Sequence, residues 1–410
     1  MNDATRRFVQ QNALCDVRQT ALRGTRDADV DMAAALQQIQ GLQTARRKLP
    51  LWAAAADILY PPHLSMEQCS SQAAASYKAE VVRRLLPTAD DRRLLADLTG
   101  GFGVDFTLLC CLFREALYVE QQPELFAIVE HNLGVLRRTI ADMPQKLRTR
   151  CGDAAGVLHD MEHATLTYVD PARRDTVGQR TYGIGDCTPN VLLLEDELLA
   201  KSDHVMLKLS PMLDWRKAVS DLGAQHLEQV HIVAVGGECK ELLIVLSATG
   251  AEHPQLFCVN DNSAEVFDIK SSTSPASFLI PHSSSLISPS TFLYEPNAAL
   301  MKSGMFRELA ERYGVAPLSA NSHLFTSEHP VATFPGRAFT VTAVSSMNRG
   351  ELRSKVAPLR QANISVRNFP LSADALRQRL HLRDGGPSYI FATTLSDGTH
   401  VLLVCRKADF

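Results

Sequence analysis

Twelve residues carry the densest chemistry in the chain: Leu94 to Asp105, LLADLTGGFGVD, set a carboxylate on either side of a Gly-Gly-x-Gly loop. An apolar run that ends in glycines and passes into a helix lets backbone approach a ligand closely, a geometry that serves dinucleotides, nucleotides and S-adenosylmethionine alike. The flanking residues separate these ligands. A dinucleotide fingerprint starting at Gly101 and Gly103 needs a third small residue at position 106, where Phe106 stands. A Walker loop needs Gly-Lys-Ser or Gly-Lys-Thr, and none follows. Asp97 at the strand end would repel a pyrophosphate but attract a ligand with an ammonium and a sulfonium. Adenosylmethionine carries both.

Three further acids stand where neighbouring strands are expected to end. Glu120 follows the run ALYV seventeen residues after Gly103, close to the spacing at which an acid grips ribose hydroxyls. Asp153 in RCGDA is placed to accept from an adenine amino group, and Asp170 opens DPARR. Each alone has a plainer reading: Asp153 as a helix cap, Asp170 as the start of a turn before Pro171. Four in register face the one crevice where an open α/β sheet binds ligands. Lys208 lies within the apolar run VMLKL, where a buried ammonium needs a partner. Asp170 or a substrate phosphate would serve. Arg173 and Arg174 are candidates for stacking on a base or gripping a phosphate, with a solvated pair as the plainer alternative.

The elements that must hold these residues follow from periodicity. Residues 1–86 show apolar positions at three- and four-residue spacing and read as a helical domain. From Arg92, short β-like runs alternate with helix-length segments, which implies right-handed βαβ units and a parallel sheet. VHIVAV and LLIVLS are joined by GGECKE alone, too short for a crossover, so they form an antiparallel hairpin. Residues 87–250 thus read as a Rossmann-like α/β domain. A further hairpin around VNDN and the Ser/Pro-rich SSTSPASFLIPHSSSLISPS fall in a region 251–335, and 336–410 reads β-α-β-α-β-β, a small α/β domain.

Composition excludes extremes: 45% of the 410 residues are hydrophobic, 21% are charged, and the net charge is −3. The charge is uneven, because from Ile280 onward 14 Lys and Arg face 9 Asp and Glu. No apolar window of about 18 residues is present. The nine cysteines form no C-x-x-C pair and sit near no histidines at ligand spacing, so metal binding is not expected and the thiols read as structural, in a cytoplasmic protein without a membrane span.

Together, DLTGGFGVD, Glu120, GDA and DPARR resemble the class I S-adenosylmethionine-dependent methyltransferases, whose seven-stranded sheet ends in such a hairpin. EQCSSQAAASYKAEVVRRLL and KLSPMLD extend the resemblance to a bacterial group that carries a basic THUMP-like or ferredoxin-like carboxyl-terminal unit. The resemblance implies adenosylmethionine as cofactor, held by Lys78, Asp97, Thr99, Gly101, Gly103, Glu120, Gln121, Asp153 and Ala154, with Asp170, Pro171 and Lys208 at the reacting face. THUMP-type modules of other methyltransferases bind RNA, so RNA is the implied substrate. Ala172 and Arg173 replace the proline and aromatic residue that nitrogen-methylating relatives carry after Asp-Pro. That departure leaves a second expectation open, an RNA-binding or assembly factor that keeps the cofactor pocket.

Overall fold

The computed structural model describes residues 1–173, 183–269 and 287–410. Arg174, the side chain of Arg173 and most of the Ser/Pro-rich stretch lie outside these residues. The chain divides into two compact units, Met1–Val230 with Glu241–Glu252, and His231–Lys240 with His253–Phe410.

The first unit opens with six helices: α1 (Asp3–Asn12), α2 (Val17–Arg23), α3 (Met32–Lys48), α4 (Pro50–Ala54), α5 (His63–Gln68) and α6 (Gln72–Leu85). Polar side chains start them, as Asp31 does at α3 and Ser71 at α6 by accepting from backbone N–H groups. The three- and four-residue spacing has its expected result in α6, whose buried face is Ala74, Ala75, Lys78, Ala79, Val81 and Val82. A lysine on that stripe is the exception that matters below. Residues from Ala45 to Leu86 share one hydrophobic cluster with residues from Leu95 to Val245, and the Trp52 ring meets Phe102 at 4.7 Å.

Strands and helices then alternate: β1 (Leu94–Asp97), α7 (Val104–Cys110), β2 (Glu115–Glu120), α8 (Pro123–Leu136), β3 (Lys146–Cys151), α9 (Ala154–Asp160), β4 (Ala164–Val169), α10 (Val191–Ala200), β5 (Ser202–Leu209), α11 (Trp215–Asp221), β6 (Leu227–Val235) and β7 (Glu238–Leu246). The order is β3-β2-β1-β4-β5-β7-β6. The first five strands pair in parallel, and β7 runs antiparallel to β5. This is the expected methyltransferase sheet with its terminal hairpin, turned by Gly236 and Gly237 at φ +61° and +77°, which residues with a Cβ rarely adopt. Strand order reverses at β1, so the crevice opens at the carboxyl ends of β1 and β4.

The sheet does not stop at seven strands. A second hairpin, β8 (Gln255–Asn260) and β9 (Ser263–Asp268), continues the order past β6 to nine. The His231 ring stacks on Phe257 at 4.5 Å, and Gly236 N–H donates to Asp261 at 2.7 Å. An open β6 edge would leave a row of unpaired backbone groups, and this hairpin covers it.

The remainder forms a second sheet from β10 (Phe292–Pro296), β11 (Phe325–Ser327), β12 (Gly336–Ser345), β13 (Asn363–Arg367), β14 (Ser388–Thr394) and β15 (His400–Lys407). Its order, from a two-residue strand at Ala316–Pro317, is β11-β10-β12-β15-β14-β13. The β-α-β-α-β-β order read from 336 onward is present, with helical turns over residues 349–359 and a helix at Ala373–Leu380.

Candidate active site at the carboxyl ends of the parallel strands

The loop after β1 is fixed from three sides. Gly100 N–H donates to Val119 O at 2.7 Å, and the Tyr118 hydroxyl donates to Gly101 O at 2.5 Å. A Cβ on Gly100 would lie 2.0 Å from the Tyr118 ring, so glycine is obligatory there. Gly103, in the left-handed region at φ +78°, starts α7. Glu120 reaches back into the loop, accepting from Gly101 N–H at 3.0 Å and from Gln122 N–H at 2.8 Å. Gln121, next to it, is exposed.

Asp97 is buried, and one of its oxygens accepts from Thr99 N–H at 3.0 Å. Its other oxygen, Oδ2, is buried with no hydrogen-bond partner among the described residues. Burial holds its carboxyl well above the usual range; the Thr99 N–H opposes this, while Asp105, Asp170 and Glu120 add to it. The Thr99 hydroxyl accepts from Asp170 N–H at 2.6 Å, tying the β1 end to the β4 end. Pro171 is buried beside it. Asp153 caps α9, accepting from Gly156 N–H at 2.9 Å, and Ala154 is the first residue of that helix. The cap and the crevice position coexist in one exposed residue.

Lys208 and Asp170 meet: Nζ lies 2.5 Å from Oδ2. Burial would lower the Lys208 pKa, but Asp170, Asp105 and Glu241 outweigh it and hold the ammonium above its ordinary value. Lys78 has no exposed side-chain surface, and its ammonium pairs with Glu241 at 2.6 Å and Asp105 at 3.1 Å. Asp105 also accepts from the Ser70 hydroxyl at 2.7 Å and the Tyr168 hydroxyl at 2.9 Å. Burial opposes ionisation of Asp105, yet Lys78, Lys208 and these hydroxyls together hold its carboxyl below the ordinary value. Glu241 goes the other way, raised by burial against the pull of Lys78.

Sequence reasoning singled out Lys78, Asp170 and Lys208 but not Glu241, Tyr168 or Ser70, which complete the cluster. The one signal for Glu241 is an acid directly preceding LLIVL; nothing marks the other two.

Comparison with known proteins bears on this arrangement. A ferredoxin-like domain family matches residues 292–335, and a THUMP domain-like family matches 336–407. Two strain versions of an uncharacterized S-adenosylmethionine-dependent methyltransferase of Mycobacterium tuberculosis, CDC 1551 and H37Rv, are each 24% identical over 323 residues, 77% of this chain and 82% of theirs. A crystal structure of a protein assigned as a methyltransferase, from Porphyromonas gingivalis W83, is 34% identical with a TM-score of 0.82, over 99% of this chain and 98% of that one. The chain belongs to this S-adenosylmethionine-dependent methyltransferase family.

The methyltransferase crevice fits its cofactor on physical grounds. Five acids, Asp97, Asp105, Glu120, Asp170 and Glu241, stand with two ammonium groups, Lys78 and Lys208, and a doubly cationic ligand favours the ionised form of the raised Asp97. The unpartnered Asp97 oxygen is the buried acceptor such a ligand would satisfy. Above Gly101, a Cβ would meet nothing closer than Thr99 O at 3.8 Å, which leaves room for the ligand. Among the described residues no group of three or more His, Cys, Asp and Glu is arranged to hold a metal ion, and no helix is long and apolar enough to cross a membrane.

Proposed function

We propose that this methyltransferase transfers the methyl group of adenosylmethionine to a nucleotide of RNA. The observation that carries the reading is the THUMP domain-like region and the cations it leaves unspent. Of the seven basic residues from Arg353 to Arg383, Lys355 pairs with Glu351, Arg367 with Glu295, and Arg377 with Asp374 and Asp384. Arg353, Arg360, Arg379 and Arg383 are exposed and have no ion-pair partner among the described residues. Four such guanidinium groups suit a phosphate backbone.

In this reading Asp97, Thr99, Gly101, Gly103, Glu120, Gln121, Asp153 and Ala154 line the cofactor site. Glu120 takes the ribose hydroxyls and Asp153 the adenine amino group. Asp170 and Pro171, with Lys208, form the reacting face, and Arg173 and Arg174 take the substrate. The protein works in the cytoplasm, where its nine cysteines stay reduced.

The test is incubation of the purified chain with tritiated adenosylmethionine and separate bacterial RNA, DNA and protein fractions. Label entering RNA supports the reading. Label entering another fraction alone assigns a different acceptor, and label entering none favours an RNA-binding factor that keeps the cofactor pocket.

A further inference from the structure

We infer that the methyl acceptor is a ribose hydroxyl oxygen rather than a base nitrogen, with Lys208 as the cation beside it and Lys78, Asp105 and Glu241 holding that cation in place. The inference rests on the RNA reading above and concerns the same site.

The observations are the composition of the reacting face and the way it is braced. At the ends of β4 and β5, the groups that meet are a carboxylate and an ammonium, Asp170 and Lys208, at 2.5 Å. The Asp-Pro turn continues into Ala172, so it supplies no ring on which a flipped base would stack. Behind the pair stands a second, fully buried one: Lys78 on α6 with Glu241 on β7 at 2.6 Å and Asp105 on α7 at 3.1 Å. Burying Lys78, Asp105 and Glu241 together is costly unless each holds a defined place.

Charge development distinguishes the acceptors. A base amine is already nucleophilic and becomes positive as it takes a methyl group, so a fixed ammonium at its side opposes the reaction. A hydroxyl is a poor nucleophile that gains negative charge as its proton leaves, and a fixed ammonium stabilises that charge. Bound adenosylmethionine supplies a methyl carbon on a sulfonium. The hydroxyl oxygen forms its bond to that carbon as the carbon–sulfur bond breaks with its electron pair left on sulfur. The hydroxyl proton passes to the Asp170 oxygen not paired with Lys208, and from there to water. Lys208 stays protonated throughout, in keeping with the three acids around it. Lys78 does not reach the reacting atoms in this scheme; it is a positioning residue that fixes Asp105 and Glu241 through its ion pairs.

The direct test is where the methyl group sits. RNA from cells with and without the protein is digested to nucleosides and analysed by mass spectrometry, with an alkaline digest run alongside. The inference predicts that the nucleoside lost with the protein carries its methyl on the sugar and that its linkage resists alkali. A methyl on the base overturns the inference while leaving the RNA reading intact; no missing methylated nucleoside, with label entering protein or DNA instead, overturns both. In the purified protein, Lys208→Met should lower turnover about 10²- to 10³-fold, the usual effect of removing one such donor. Calorimetric affinity for adenosylmethionine should stay within about threefold, and Lys208→Arg should recover part of the loss. Undiminished turnover in Lys208→Met contradicts the inference, as does methylation of a substrate oligonucleotide carrying a 2′-deoxyribose at the modified position.

Discussion

The Lys78 ammonium and the Glu241 carboxylate lie 2.6 Å apart although 163 residues separate them in the chain. Neither side chain is more than 3% exposed. One comes from the last helix before the sheet and the other from the antiparallel strand β7, so the pair joins the helical segment to the sheet beside β5.

Breaking a buried pair from one side strands a charge, which costs about 3–5 kcal/mol. Lys78→Met and Glu241→Gln should each destabilise the first unit by that order. The double variant should lose less than the sum, because it leaves no lone charge. Urea unfolding of the four proteins measures the coupling, and strict additivity would show that the two groups do not interact.

Asp97 gives the cofactor affinity a pH dependence. Its carboxyl is raised above the usual range, first by burial and then by Asp105, Asp170 and Glu120, against the Thr99 N–H. An acid whose folded value is raised binds its proton more tightly folded than unfolded. Its contribution to stability is therefore full below the unfolded value of about 3.9 and is lost as pH rises through the folded one. A cationic ligand favours the ionised form, so adenosylmethionine affinity should fall as pH drops through the raised value, and binding near it should release a proton. Calorimetry in two buffers of different ionisation enthalpy reads this directly. Equal heats after correction for dilution would remove Asp97 from the cation site.

Glu120→Ala should weaken adenosylmethionine by about 1.5–3 kcal/mol, the range for hydrogen bonds to a charged group. The carboxylate also accepts from Gly101 N–H, so part of the loss should appear as a looser loop. Glu120→Gln separates the two contributions, since an amide oxygen keeps one acceptor. Unchanged affinity in Glu120→Ala would place the ribose elsewhere.

For RNA retention, replacing Arg353, Arg360, Arg379 and Arg383 together by Ala should flatten the salt dependence of binding. With four phosphates released, the slope of log affinity against log salt should fall by about 3 for a single strand. Arg377→Ala, which removes a cation already paired to Asp374 and Asp384, should change it little. Equal slopes in parent and quadruple variant would move the RNA surface away from this region.

The parallel sheet was legible because β1, β2 and β4 are short apolar runs closed by an acid, and LLAD, YVE and YVDP each end where the crevice begins. The Gly236–Gly237 hairpin was legible from chain length alone. Glu241 was not, because its role comes from a partner on α6 that no local pattern links to it. The resemblance set Lys78 among the cofactor residues, and no local pattern says that its ammonium meets Glu241 and Asp105. The second hairpin read as a hairpin around VNDN, yet whether its outer strand joins a sheet depends on the open edge of β6, which is a property of the fold. At Asp153 the plain reading, a helix cap, is the one the fold displays, and the residue is exposed at the end of β3.

Asp170→Asn tests the central claim most directly, with single-turnover methylation of RNA and calorimetric cofactor affinity measured on the same preparation. An interaction made at the reacting centre lowers turnover and spares ground-state binding. The account predicts that methyl transfer to RNA falls at least about a hundredfold, in the range seen when a proton-transferring group is lost, while adenosylmethionine affinity stays within about threefold. Parent-like transfer by Asp170→Asn, or a parallel loss of cofactor binding, would contradict the placement of RNA methyl transfer at this carboxylate.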